Sequence, residues 1–211
     1  MADEDKKQIT GLFGEMHLAM KLHARGWQVH RAYIDSHTDF VLTKYWCNSC
    51  KGYQQLEKRK KPQGRDFPTD QCASCLQPSL HSVVRFIQVK ASEGIPSKQG
   101  IHIRNYSFHA KLRSNVDPRA FYVWIALTPL PLEGADFVPH FYVFHHKDIS
   151  RFDNLGLDSY QLTDNQKTTL RIDHQGNVLN RGRKHDYSCF KEFYNNFEVL
   201  DQTINLGTPN G

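Results

Sequence analysis

Phe86-Ile87-Gln88-Val89-Lys90-Ala91-Ser92 is the stretch on which the fold turns. Along an extended strand the side chains alternate faces, so Ile87 and Val89 point into one core while Gln88 and Lys90 point the other way. Heavy apolar residues frame two polar ones, and a lysine at the buried edge of so apolar a strand needs a partner or a task. The wider run Ser82–Ala91, with Val83, Val84, Phe86, Ile87 and Val89, predicts a strand.

Upstream, Asp39-Phe40-Val41-Leu42 opens another short strand, Asp39–Lys44. Two Cys-x-x-Cys knuckles separate the two strands: Cys47/Cys50 and Cys72/Cys75, with 21 residues between Cys50 and Cys72. Taking out the 33 residues Tyr45–Gln77 shortens the step from Asp39 to Gln88 from 49 to 16 residues. That step suits a hairpin with the cysteine module at its tip, and it lets Asp39 lie opposite Gln88 and Lys90. The expected organisation is one domain over residues 1–211, an insertion over 45–77 and a tail over 202–211.

The spacing of the knuckles is that of a zinc ribbon or a related pair. Four thiolates close a tetrahedron and leave no open position, so the zinc expected on Cys47, Cys50, Cys72 and Cys75 is structural. Two disulfides or an iron centre are the alternatives. The module is too small to fold without its metal. Two roles stay open for it. Tyr45, Trp46, Tyr53 and the run Lys58-Arg59-Lys60-Lys61 could touch bases and phosphates. Equally, the module could only brace the hairpin.

Working outward, residues 7–25 predict a helix, with Ile9, Leu12, Phe13, Met16, Ala19 and Met20 at helical spacing and Gly26 as the stop. Gly11 and Gly14 cost such a helix about 1 kcal/mol each, which signals something close to its backbone. Trp27–Ile34 reads as a strand. Ile101–Phe108 reads as another, with a short helix after it up to Val116. Phe121–Leu127 is almost wholly apolar and predicts a central strand covered on both faces. Gly176-Asn177 marks a hairpin, and Ser188–Leu200 reads as one closing helix.

At 39% hydrophobic and 23% charged, the chain reads as globular. It has no run of about 18 apolar residues that would span a membrane. The charged start MADEDKKQ lacks a secretory signal, so a reducing cytoplasm is the expected location, where paired cysteines bind metal. Net charge is +5. Residues 44–77 hold seven Lys/Arg against three acids, and residues 167–191 hold six against two, including Arg181, Arg183 and Lys184. A phosphate track and two solvated basic surfaces are both open readings. No His-Glu-x-x-His, Gly-x-Ser-x-Gly or phosphate-binding glycine loop occurs. His37 lies near Asp39 and could assist there, while His140 reads as a surface group.

The Asp39 carboxylate and the Gln88 amide oxygen are hard ligands suited to Mg²⁺ or Mn²⁺. Lys90 would offset phosphate charge, and Glu15 could reach the same ion. Gly11-Leu-Phe-Gly-Glu15, Asp39-Phe-Val-Leu and Ile87-Gln-Val-Lys90-Ala-Ser together resemble the PD-(D/E)xK nuclease superfamily, nearest its Holliday-junction-resolvase-like and restriction-endonuclease-like branches. The resemblance covers roughly residues 8–128 without the insertion. It implies an α/β fold with a mixed central β-sheet flanked by helices, and metal-dependent hydrolysis of phosphodiester bonds in DNA. It matches Glu15 to the helix glutamate, Asp39 to the metal aspartate, Gln88 to the variable acid and Lys90 to the lysine. Thr38 stands where the motif has proline, and Gln88 where it has an acid. Restriction, phage defence and repair are the settings it suggests, double-stranded DNA the partner, and a homodimer the assembly, although no interface is legible. The competing readings are a non-catalytic DNA-binding protein on a degenerate core, and a coincidence of a surface Glu15, a turn-capping Asp39 and a snorkelling Lys90.

Overall fold

A computed structural model describes residues 3–32, 38–54, 72, 74–98, 100–109, 117–129, 137–155, 167–179 and 187–202. The chain opens with helix α1, Asp3–Ala24. Strands β1 (Gln28–Arg31), β2 (Phe40–Cys47), β4 (Leu80–Glu93), β7 (Ala120–Pro129) and β8 (Phe137–His145) form the central sheet in that order, and β3 (Gly52–Gln54) pairs with the far end of β2. The sheet is mixed: β4 and β7 run parallel, and its other pairs are antiparallel. The hairpin expected from the excised sequence is present, with β2 and β4 in register from Phe40↔Ile87 to Cys47↔Leu80. β2 carries through Tyr45 and Trp46 as far as Cys47, so the first knuckle starts on the strand itself.

Both faces of this sheet are covered. Along β7, Phe121, Val123, Ile125 and Leu127 enter one core, while Tyr122, Trp124 and Ala126 enter the other. The doubly covered strand read from the sequence is therefore present. Burying each of the larger of these side chains stabilises by about 1.5–3 kcal/mol relative to exposure. The first core lies under α1, through Leu18 and Leu22.

The second face departs from the expected helical layer. It is covered by a four-stranded sheet, in the order β10 (Val178–Leu179), β9 (Lys167–Asp173), β6 (Gly100–His109) and β5 (Ile95–Ser97). Tyr106, Phe108, Leu170 and Ile172 from that sheet meet Trp124, Tyr142 and Phe144. Gly94 makes the corner between β4 and β5. A Cβ there would sit 2.6 Å from the Tyr106 ring, so no larger residue lets the chain turn so close to that side chain. β9 and β10 form the hairpin expected around Gly176-Asn177.

The closing helix is two short helices, α2 (Cys189–Phe193) and α3 (Glu198–Asp201). Its aromatic residues belong to opposite cores: Phe190 and Phe193 pack on the second-sheet side, Phe197 and Leu200 on the α1 side. One straight helix cannot serve both, so the chain breaks to cross the edge of β8. Asn195 takes a φ of 52° and donates its N–H to the Phe141 carbonyl at 2.7 Å. Past the break, Lys44 pairs with Asp201 at 2.6 Å, and Arg85 donates to the carbonyls of Leu200 and Gln202. His140, read as a surface group, is buried against Tyr194 at 3.0 Å. The helix expected before Val116 and nearly all of the tail expected over 202–211 lie outside the described residues.

Candidate metal centres

Strands β2 and β4 part company at Asp39. Its N–H donates to the Ile87 carbonyl at 2.8 Å, the last backbone rung between the two segments. The next β4 donor, the Val89 N–H, is taken by the Asp39 carboxylate itself, at 2.5 Å to Oδ2. One side-chain oxygen is thereby fixed by the backbone. One step beyond the Phe40↔Ile87 pair, Asp39 stands across from Gln88. Ile87 and Val89 sit in the α1-side core, so Gln88 and Lys90 alternate away from it, as the strand period requires. Gln88 is buried and Lys90 half-buried.

Helix α1 reaches this point through Gly14. A Cβ on Gly14 would lie 2.5 Å from the Cβ of Ala91, so the glycine is what lets the helix settle on β4. At Gly11 a Cβ would meet nothing within 4 Å, so of the two costly glycines only Gly14 marks a close approach. The next residue is Glu15. Its carboxyl is raised above the usual 4.5, first by burial; Arg31 opposes that, the Asp39 charge adds to it and Lys90 opposes it. Helix, turn and strand thus bring Glu15, Asp39 and Lys90 into one electrostatic neighbourhood, with Gln88 beside Asp39.

Arg31 is the group that the sequence reading passed over. Its Nη2 lies 3.0 Å from Glu15 Oε2. The pairing of β1 with β2, which sets Arg31 against Phe40, one residue from Asp39, puts it there, and no sequence motif announces it. Lys58, Arg59, Lys60, Lys61, Arg181, Arg183, Lys184 and His37 lie outside the described residues.

The donors here fit a hard divalent cation. A desolvated carboxyl whose charge is further opposed by a neighbouring carboxylate is what a bound cation relieves, and the amide oxygen of Gln88 is a further hard donor.

The other end of the same strand pair carries sulfur. Cys47, Cys50, Cys72 and Cys75 place all four Sγ atoms within 4.8 Å of one another, the one grouping of three or more Cys, His, Asp or Glu among the described residues. Cys47 and Cys75 lie 3.6 Å apart and Cys50 and Cys72 3.7 Å, and all are free thiols. A tetrahedron with Zn–S bonds of about 2.3 Å has edges of about 3.8 Å, so these separations fit one zinc ion and are far too long for disulfides. Backbone N–H groups of Cys50 and Ser74 donate to Cys47 and Cys72 sulfur at 3.3 and 3.4 Å. For Cys47, burial favours the thiol. The Ser79 hydroxyl, the Cys50 N–H and the neighbouring thiols outweigh it and bring the group down to about 6. Cys50 is pushed up to about 12, first by its hydrogen bond with Cys75. A set that releases one proton easily and holds another back is one that a cation completes.

No family model matches this chain, and no curated protein does. Among solved structures it is similar to a bacterial homing endonuclease, I-Ssp6803I. The match spans 93% of this chain and 92% of that one, at 15% identity and a TM-score of 0.41. A likeness that loose fixes neither the fold class nor the chemistry, which rest on the residues above.

Proposed function

We propose that the chain is a divalent-metal-dependent endonuclease of PD-(D/E)xK type, cutting double-stranded DNA, with zinc as a structural ion on its four cysteines. What supports this reading is that the charges of Asp39 and Lys90, from two other segments, both act on the Glu15 carboxyl, and that Gln88 stands across from Asp39. Glu15, Asp39 and the Gln88 amide oxygen would hold Mg²⁺ or Mn²⁺. Such an ion, when bound, polarises a scissile phosphate and acidifies a water. The protein does the positioning: the Val89 N–H aims the Asp39 carboxylate, and Gly14 lets Glu15 close on β4. The Lys90 ammonium offsets phosphate charge and orients the attacking water. Arg31, which pairs with Glu15, would supply a second phosphate contact if that carboxylate were to hold a cation. A reducing cytoplasm suits the four free thiols.

Nicking of supercoiled plasmid with Mg²⁺ or Mn²⁺ tests the reading. Wild type should cut, and Asp39→Ala and Lys90→Ala should each lose at least about a hundredfold in rate. Equal rates in all three would remove the site assignment. The neutral Gln88 and the Glu15–Arg31 pair favour a second reading, a DNA-binding protein that does not hydrolyse. DNA retention in a gel without any metal-dependent nicking would be its mark.

A further inference from the structure

The side of α1 turned away from the sheet is apolar. Ile9, Leu12, Met16 and Met20 are 55%, 49%, 56% and 59% exposed, while Leu18 and Leu22 of the same helix are fully buried. At 3.6 residues per turn the four exposed side chains fall in a band about 80° wide. Asp5 and His23 lie in the same band, one at each end. Single exposed apolar residues are ordinary, but four in a line on one helix mark an interaction surface.

We infer that this stripe is covered by the same stripe of a second copy of the chain, running antiparallel. The register follows from the sequence. A twofold axis beside residue 14 sets Leu12 against the partner's Met16 and Ile9 against the partner's Met20. It also sets Asp5 against the partner's His23, whose ring N–H a carboxylate accepts. A parallel pair would instead stack Asp5 on Asp5 and His23 on His23. The antiparallel arrangement also aligns opposite helix dipoles. Charge and shape are thus complementary to this same helix reversed, which singles out a second copy as the occupant. From Ile9 to Met20 the helix runs about 17 Å, less than a standard-size interface needs, so the dimer is weak and concentration-dependent.

One consequence rests on the nuclease reading. Glu15 lies one residue from the axis position and about 100° around the helix from Met16, so it faces along the twofold. Rotation about an axis keeps direction along it, and both candidate sites open on the same side of the dimer. With helices packed 8–10 Å apart, the two Glu15 Cα atoms lie about 10 Å from each other. One duplex could then meet both sites.

Analytical ultracentrifugation of the full chain tests the pairing without reference to cleavage. The weight-average mass of wild type should climb from 24.5 kDa toward twice that value as concentration rises to about 200 μM. Met16→Glu should raise the dimer dissociation constant at least about tenfold with unchanged helix content, because Met16 is exposed in the monomer. Asp5→Lys alone should weaken the dimer roughly three- to tenfold, and adding His23→Asp should restore it. Each of those two changes opposes the dipole of its own helix, so recovery in the double variant can come only from pairing between chains. Wild type monomeric throughout, Met16→Glu dimerising like wild type, or a double swap that fails to recover would each overturn the proposal.

Discussion

The strand pair β2–β4 carries a different donor set at each end, and the contrast between the ends is instructive. Asp39 and Cys47 are about 26 Å apart along β2 at the usual rise per residue. At the Cys47 end, soft ligands close on themselves. The knuckles supply all four donors, and their separations already suit one ion. At the Asp39 end, hard ligands gather only because other elements arrive. Gly14 lets α1 in, β1 supplies Arg31, and β4 offers the Val89 N–H. The first set is local and self-sufficient. The second is assembled from several elements and keeps a carboxyl under desolvation.

Removing zinc should give the largest effect and divide the two ends. Chelation or Cys72→Ser removes a binding free energy on the order of 10 kcal/mol from the module. Amide exchange should then rise to solvent rates across β3 and the end of β2, while β7 and β8 stay protected. Loss of protection in β7 at the same zinc concentration would make the two ends one cooperative unit.

Asp39→Ala comes next. The nicking loss of about a hundredfold or more should come with faster exchange at the Val89 amide, whose acceptor is gone, and with unchanged zinc content. A change in zinc content would mean that the two ends communicate.

The glycine pair gives a smaller and opposed effect. Gly14→Ala should destabilise by roughly 1–2 kcal/mol in denaturant melts, because its Cβ meets the unyielding Cβ of Ala91. Gly11→Ala meets nothing and should stabilise by about 0.5–1 kcal/mol. The same sign in both would remove the close approach of α1 to β4.

The smallest effect is Glu15→Gln without divalent metal. The folded-state pKa of Glu15 is raised, so above that pKa its charge costs stability, and as pH falls through it the cost disappears. Glu15→Gln should therefore melt higher at pH 7, with the gap closing in acid. A gap independent of pH would mean that burial of the carboxyl is not its cause.

These differences track how far along the chain each feature reaches. The knuckle spacing, the hairpin joining Asp39 to Gln88, the period along Phe86–Lys90 and the two-faced β7 all follow from short-range rules. The closing helix did not, because helical spacing of Phe190, Phe193 and Phe197 says nothing about which core each side chain enters. The layer opposite α1 did not either, since strands far apart in sequence pair there. The exposed line on α1 has the same origin. Ile9, Leu12, Met16 and Met20 carry the cleaner helical period, yet Leu18 and Leu22 are the pair the sheet receives.

By itself the sequence determined the sulfur cluster and the strand bearing Gln88 and Lys90, because ligand spacing and side-chain alternation act over a few residues of one segment. Only the tertiary structure decided that the charges of Asp39 and Lys90 act on Glu15, that Arg31 pairs with that carboxyl, and that Ile9, Leu12, Met16 and Met20 of α1 stay exposed. Those outcomes depend on how far one element can approach another. Steric fit at a single glycine sets that approach, and no local period records it.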